Sequence, residues 1–403
     1  MKLKEGTHLT YCTNIHPGES WGETFENLQN HIPNIQLKAA KNAPFGIGLR
    51  LSNKASLELK VDGELQKFKT WLAANNCYVF TMNGFPYGGF HGEVVKDKVH
   101  QPDWTTKDRR NYTIRLFELL AELLPEGMEG GISTSPLSYR YWHKNQQELE
   151  RAITKSTTHM VHVVEKLIEI KQKTGKVLHL DIEPEPDGIL ENTAEMLAFY
   201  KDWLLPMGAR DLMDSLAMSK EDAENAIKDH IRLCYDVCHF ALVYEKPRAV
   251  FQAMKSAGIK IGKIQISAAL KIDIPESIES KDAIRKTLVP FAESTYLHQV
   301  IGRNADGQLE SFRDLDRALA VLDQTKLKEW RIHFHVPVFL EDYGAVASTQ
   351  SDILEVLDYL KEENVTEHLE VETYTWDVLP EGMNIDIQSS IIRELEWVSE
   401  NLK

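Results

Sequence analysis

Short apolar runs of strand length alternate along this chain with longer segments whose apolar residues recur every three or four positions. That alternation is the strongest constraint on the fold, because strands separated by amphipathic helices build a parallel sheet with helices outside it. Nine strand-like runs stand out: residues 8–15 (HLTYCTNI), 45–52 (FGIGLRLS), 77–84 (CYVFTMNG), 130–138 (GGISTSPLS), 177–183 (VLHLDIE), 231–237 (IRLCYDV), 261–267 (IGKIQIS), 331–339 (RIHFHVPVF) and 368–376 (HLEVETYTW). Between them lie helical patterns such as NYTIRLFELLAELL and SDILEVLDYLKEE. A length of 403 residues is within the reach of an α/β protein of the (β/α)8 barrel type with insertions. No linker rich in Pro, Gly or Ser interrupts it, which predicts one continuous domain over residues 1–403.

Eight strands close such a barrel, so one of the nine runs is extra. The rhythm breaks between 268 and 340, which predicts an insertion near 268–330 and leaves either 261–267 or 331–339 as the seventh strand. The connection over 184–230 is also long, and is expected to hold extra helices over the barrel mouth.

The fifth run ends in HLDIEPEPDG, with Asp181, Glu183, Glu185 and Asp187 at every second position. In a (β/α)8 barrel the C-terminal strand ends build one shared mouth, so His179, Asp181 and Glu183 project from one face toward it. Later strand ends add Asp236 and His239 (YDVCHF), Gln265 (KIQIS), His333 and His335 (RIHFHVP), and Glu370 and Glu372 (HLEVET). Carboxylates, imidazoles and an amide gathered there call for a cation, and a divalent Mn, Mg, Zn, Co or Fe ion suits such a set. Each residue also has an ordinary structural reading: Glu183 paired with an Arg, His335 a satisfied core histidine, Asp236 the cap of the next helix. Coincidence across successive strand ends favours a site.

The third run continues into TMNGFPYGGFHG and, further on, HQPDW, where Asn83, Tyr87, His91 and Trp104 suit a polar organic ligand. Its glycines equally permit a tight loop, and the lysine and spacing of a phosphate-binding loop are absent. The first run leads into TNIHPGESW, offering Asn14, His16 and Trp21; Ser20 with Glu23 fits a helix capping box. Arg303 and Lys246 are cations for which surface solvation is the simpler account.

A formal charge of −15 disfavours a nucleic-acid partner, since phosphate binding rests on Lys and Arg. The start MKLKEGTHLTYC has no apolar signal region and no run of 18 apolar residues occurs, so neither secretion nor a membrane span is expected and the chain reads as cytoplasmic. Four scattered cysteines, Cys12, Cys77, Cys234 and Cys238, read as buried thiols.

The order of strand ends, DIEPEP, then Asp-x-x-His in DVCH, then EVET, resembles the xylose isomerase-like TIM barrels, which include sugar epimerases, sugar isomerases and endonuclease IV. The longer pieces YCTNIHPGESW, NGFPYGGFHG, PDW, LHLDIEPEP and HFHVP are similar to the EboE group, proteins of a bacterial gene cluster described as serving metabolite traffic. The resemblance implies a metal held by Glu183, Asp236, Glu372 and one more ligand, with Glu183 and Glu372 as an acid–base pair and His239 touching substrate. His16, Asn83, His91, Trp104 and His333 complete the expected substrate-binding set. The fourth ligand departs from the pattern: KIQIS resembles the epimerase HIHIS strand but puts Gln265 where a histidine is expected. Either Gln265 ligates through its amide oxygen, or His335 takes over, or the site is altered or lost. The leading expectation is a metal-dependent isomerase or epimerase of a small sugar, polyol or related metabolite. The alternatives are a non-catalytic metabolite binder and a metal-dependent hydrolase of a small phosphorylated metabolite.

Overall fold

The computed structural model describes residues 1–3, 6–41, 43–89, 95–292, 295–373 and 386–403. Eight parallel strands form one sheet: β1 (His8–Tyr11), β2 (Phe45–Arg50), β3 (Cys77–Asn83), β4 (Gly130–Thr134), β5 (Leu178–Ile182), β6 (Ile231–Asp236) and β7 (Ile261–Ile266), with the last strand, β13 (His368–Val371), between β7 and β1. All their residues are buried except half-buried Tyr78, as expected where helices cover one face and a packed barrel interior the other. The sheet order runs β1, β13, β7, β6, β5, β4, β3, β2. A parallel bridge from Cys12 to Gly48 joins its two edges, and the Thr10 and Thr13 hydroxyls accept the Gly48 and Arg50 amides at 3.1 and 2.9 Å across the same seam. The result is a (β/α)8 TIM barrel with insertions.

The seventh barrel strand is therefore 261–267, and 331–339 is the extra run. It belongs to a second, antiparallel sheet in the order β10, β9, β11, β8, β12, made of β8 (Ala268–Asp273), β9 (Val300–Arg303), β10 (Leu309–Phe312), β11 (Glu329–Val336) and β12 (Ala347–Ser348). Only Ser267 separates β7 from β8, so the chain continues from the barrel rim directly into the second sheet. Strand β11 runs antiparallel to β8 and back toward that rim, ending with Val336 opposite Ala268. Its register shifts between Ile332 and Val336, and irregularities of this kind re-aim side chains beside active sites. His333 and His335 lie in that stretch.

The long connection after β5 differs from expectation. Its helices Thr193–Phe199 and Leu205–Leu216 pack against Pro247–Ala257 and Gln146–Thr174 on the outer wall. Their apolar faces, including Met196, Phe199 and Leu212, are buried, as amphipathic helices packed on other helices require. Elsewhere the helices start as the sequence suggests: Ser20 and Glu23 form the capping box of Trp21–Ala39.

Inside the barrel the two-residue strand period sorts side chains into layers. His179, Arg232 and His368 lie toward the N-terminal end, Asp181, Cys234, Lys263 and Glu370 in the middle, and Glu183, Asp236, Gln265 and Glu372 at the C-terminal mouth. Strand β2 carries glycine where the middle layer is fullest. A Cβ on Gly48 would overlap Glu370 Oε1 and meet the Tyr11 carbonyl.

Candidate functional site

Three carboxylates converge at the mouth because β5, β6 and β13 all end there with an inward acidic residue. Glu183, Asp236 and Glu372 each place an oxygen within 4.8 Å of the other two, and all are buried. Ligands held about 2.1 Å from one cation lie at most about 4.2 Å apart, so small side-chain adjustments allow the three to share an ion. Burial pushes the Glu183 carboxyl well above its usual range, reinforced by the charges of Glu372, Asp236 and Glu185. Burial does the same to Glu372, with Asp236 and Glu370 adding to it.

Each carboxylate is held from behind. Asn14 and Asn83 both donate to Glu372 Oε1 at 2.9 Å, while the Cys234 thiol donates to Glu183 Oε2 at 3.7 Å. Asp236 Oδ1 accepts the His239 amide at 3.1 Å and the Ser267 hydroxyl at 2.7 Å, so Asp236 does cap the helix Val237–Leu242. Its Oδ2 has no hydrogen-bond partner among the described residues. Gln265 lies between Asp236 and Glu370 in strand register, fully buried, and neither polar atom of its amide has a hydrogen-bond partner there. Orphaned buried oxygens beside crowded carboxylates are costly in a finished core. They suit an oxygen-ligated divalent cation, which would give both groups a partner.

The imidazoles come from two directions. His239 stands on the helix after β6, with Nδ1 3.1 Å from the Pro184 carbonyl and 3.7 Å from Glu183 Oε1. From the second sheet, His335 Nδ1 lies 2.9 Å from the Glu372 carbonyl oxygen and His333 Nδ1 2.8 Å from Gln299 Oε1. His239 Nε2 and His333 Nε2 are 3.1 Å apart. Burial lowers the pKa of both His333 and His335, most strongly that of His333, which keeps lone pairs available to a metal.

A cavity at these groups is walled by Asn14, Asn83, Glu183, His239, His333, His335 and Glu372, together with Glu185, His100 and Gln299. His100 Nε2 lies 3.0 Å from Glu185 Oε1. Lys96 is the one Lys or Arg among the described residues lining it, and its amine is 2.6 Å from Asp314 Oδ2. Two expected ligand contacts lie elsewhere. His16 bonds the Tyr11 hydroxyl through Nε2 at 3.0 Å and stacks on His31, while Trp104 is fully buried and donates to Thr134 Oγ1 at 3.0 Å. Neither lines the cavity. His91 falls outside the described residues.

One group escaped the sequence reading. Lys263, fully buried in β7, places Nζ 2.8 Å from Glu370 Oε2, 3.1 Å from the Met82 carbonyl and 3.3 Å from Ser133 Oγ. Burial alone would lower its pKa, but Glu370 and the neighbouring thiols outweigh that and raise it. It is a fixed cation one layer beneath the mouth, and its charge opposes the upward shifts of both Glu183 and Glu372. The signal was a lysine inside the apolar run IGKIQIS.

No protein-family model matches the chain, and no curated protein does. Among solved structures it is similar to a D-tagatose 3-epimerase-like protein, at 11% identity and a TM-score of 0.49 over 98% of this chain and 97% of that one. It is also similar to a xylose isomerase-like TIM barrel protein from Mycobacterium smegmatis in complex with magnesium, at 11% identity and 0.48 over 98% and 96%. A third is the IOLI protein with a binding zinc atom, at 12% and 0.45 over 98% of each chain. Scores and identities this low add nothing to the site, and the barrel stands on its own strand order. Among the described residues no helix is long and apolar enough to cross a membrane.

Proposed function

We propose that this chain is a metal-dependent isomerase or epimerase of a small, uncharged sugar, polyol or related metabolite. The observation that carries the reading is the buried triplet Glu183, Asp236 and Glu372, whose oxygens lie within 4.8 Å of one another. Among the described residues none of the three forms an ion pair with a Lys or Arg; the pairs in reach are His239 to Glu183 and to Asp236. These carboxylates would hold the divalent ion, with the Gln265 amide oxygen or His335 as the further ligand. When bound, the ion would supply Lewis acidity toward a carbonyl or hydroxyl oxygen.

Glu183 and Glu372 project from β5 and β13, three strands apart in the sheet order, and so approach the mouth from different sides. A carboxylate held in place at the reacting carbon can take up and return a proton. Glu372 keeps its orientation through Asn14 and Asn83, and Glu183 through Cys234. We assign the two glutamates to removal and return of a proton at the carbon beside the carbonyl. The one lysine among the described residues lining the cavity is already paired with Asp314, and an uncharged substrate suits such a lining better than a phosphorylated one, which calls for unpaired cations.

The EboE resemblance adds a setting in metabolite traffic. A protein that binds the metabolite and hands it on without turnover is favoured instead by the missing imidazole at Gln265. The deciding experiment follows substrate-derived deuterium exchange by NMR across a panel of free ketoses and polyols with Mn or Mg present. Exchange that falls about 10²–10⁴-fold in both Glu183→Gln and Glu372→Gln, with metal content retained, supports the acid–base assignment. Unchanged exchange in either variant removes it, and saturable binding with no exchange in wild type points to the carrier.

A further inference from the structure

We propose that Cys238, His333 and His335 form a separate cation site beside the carboxylate triplet. One ligand atom from each of the three residues lies within 4.8 Å of the others, and all are buried. The triplet shares no residue with Glu183, Asp236 and Glu372, so neither set takes a ligand from the other. They adjoin, because a ligand atom of Asp236 and one of His335 also lie within 4.8 Å in a third grouping with His239. Adjoining donor sets of this kind are what a two-metal centre would require.

The surroundings prepare these side chains as ligands. His335 Nδ1 faces the Glu372 carbonyl at 2.9 Å and His333 Nδ1 faces Gln299 Oε1 at 2.8 Å. Both partners are acceptors, so each Nδ1 donates and Nε2 is the nitrogen that would turn to a cation, as is usual for histidines that bind metal; at His333 that cation would replace the 3.1 Å contact of Nε2 with His239 Nε2. Gln299 is oriented by donating its own amide to the Pro186 carbonyl at 3.3 Å. The Cys238 amide donates at 2.9 Å to Ser267 Oγ, whose hydroxyl in turn donates to Asp236 Oδ1, tying the two sites through one serine.

The two donor sets differ in kind. Three carboxylates suit a hard cation such as Mg or Mn, whereas one sulfur and two imidazoles suit Zn or Co. Binding at the second set replaces the thiol proton of Cys238, which leaves to solvent, by a sulfur–metal bond. It also assigns His335 to this cation and leaves the Gln265 amide oxygen to complete the first. The extra imidazoles come from β11, so the insertion that breaks the strand–helix rhythm is what builds the site.

The test loads metal-free full-length protein with Co(II) and records the near-ultraviolet and visible spectrum beside the bound stoichiometry. We expect about two equivalents with a thiolate-to-cobalt charge-transfer band that is lost in Cys238→Ser and kept in Cys234→Ser. Saturated wild-type protein without that band overturns the site irrespective of any variant's folding, and so does a band lost in Cys234→Ser instead. One equivalent without the band leaves the carboxylate centre standing alone. One equivalent with a Cys238-dependent band supports this site and counts against the carboxylate centre.

Discussion

Replacing Lys263 by Met tests whether the barrel interior is organised around charge. Lys263 and Glu370 are both fully buried with Nζ and Oε2 2.8 Å apart, a separation at which the gross attraction is about 6 kcal/mol at an effective dielectric of about 20. Desolvation of the two ions offsets much of this, so the pair's net contribution is small, yet removing one partner strands the other. Methionine fills the lysine stem's volume but leaves Glu370 without its cation, and a broken buried pair costs about 3–5 kcal/mol. The double variant Lys263→Met with Glu370→Gln removes the stranded charge and recovers most of that loss. Urea unfolding followed by both fluorescence and circular dichroism, with coincident transitions required, gives the cycle. We expect a coupling energy near the upper end of the usual range of about 0.5–3 kcal/mol. A loss under about 1 kcal/mol in the single variant, or no recovery in the double, would refute the reasoning.

Gly48→Ala drives a Cβ into Glu370 Oε1 and against the Tyr11 carbonyl, and should cost about 1–3 kcal/mol of overpacking; unchanged urea stability would mean the seam has room that the structure denies. Burial raises the Glu394 carboxyl from 4.5 to about 8, against hydrogen bonds from Thr373 and Val338. The folded state therefore holds that proton where the unfolded chain has released it, so wild-type stability falls between those two pH values and is level above them. Glu394→Gln does not titrate, and its stability relative to wild type should improve across that window by on the order of a few kcal/mol; parallel urea midpoints at either end would contradict this. Because burial and mutual repulsion raise Glu183 and Glu372, a cation that ionises them must release protons and bind more tightly as pH rises. Calorimetry in buffers of different ionisation enthalpy reads the released protons, and identical heats would count against the carboxylate centre.

The barrel was legible because its strands are buried on both faces and so read as unbroken apolar runs, each followed by a helical period. The extra run at 331–339 was not separable by pattern, since a buried strand of a second sheet has the same look as one in a barrel wall; β11 differs only in what it pairs with. Glu183, Asp236 and Glu372 were visible as inward positions at strand ends, where the period of two fixes the facing. The course of the 193–216 helices was not visible, because amphipathicity shows that a face is covered without showing by what. Gln265 was noticed only as a departure, and its meaning depends on orphaned atoms that no sequence displays. Cys238 looked like any small buried residue until β11, nearly a hundred positions later, brought His333 and His335 beside it.

The central claim is a cation among the strand ends, and the metal content of freshly purified protein tests it most directly. Elemental analysis beside an Asp236→Ala variant should find at least about one equivalent of a divalent metal in wild type and a clear loss in the variant. Wild-type protein that arrives empty, and stays empty after incubation with Mn, Mg, Zn and Co, would contradict the account.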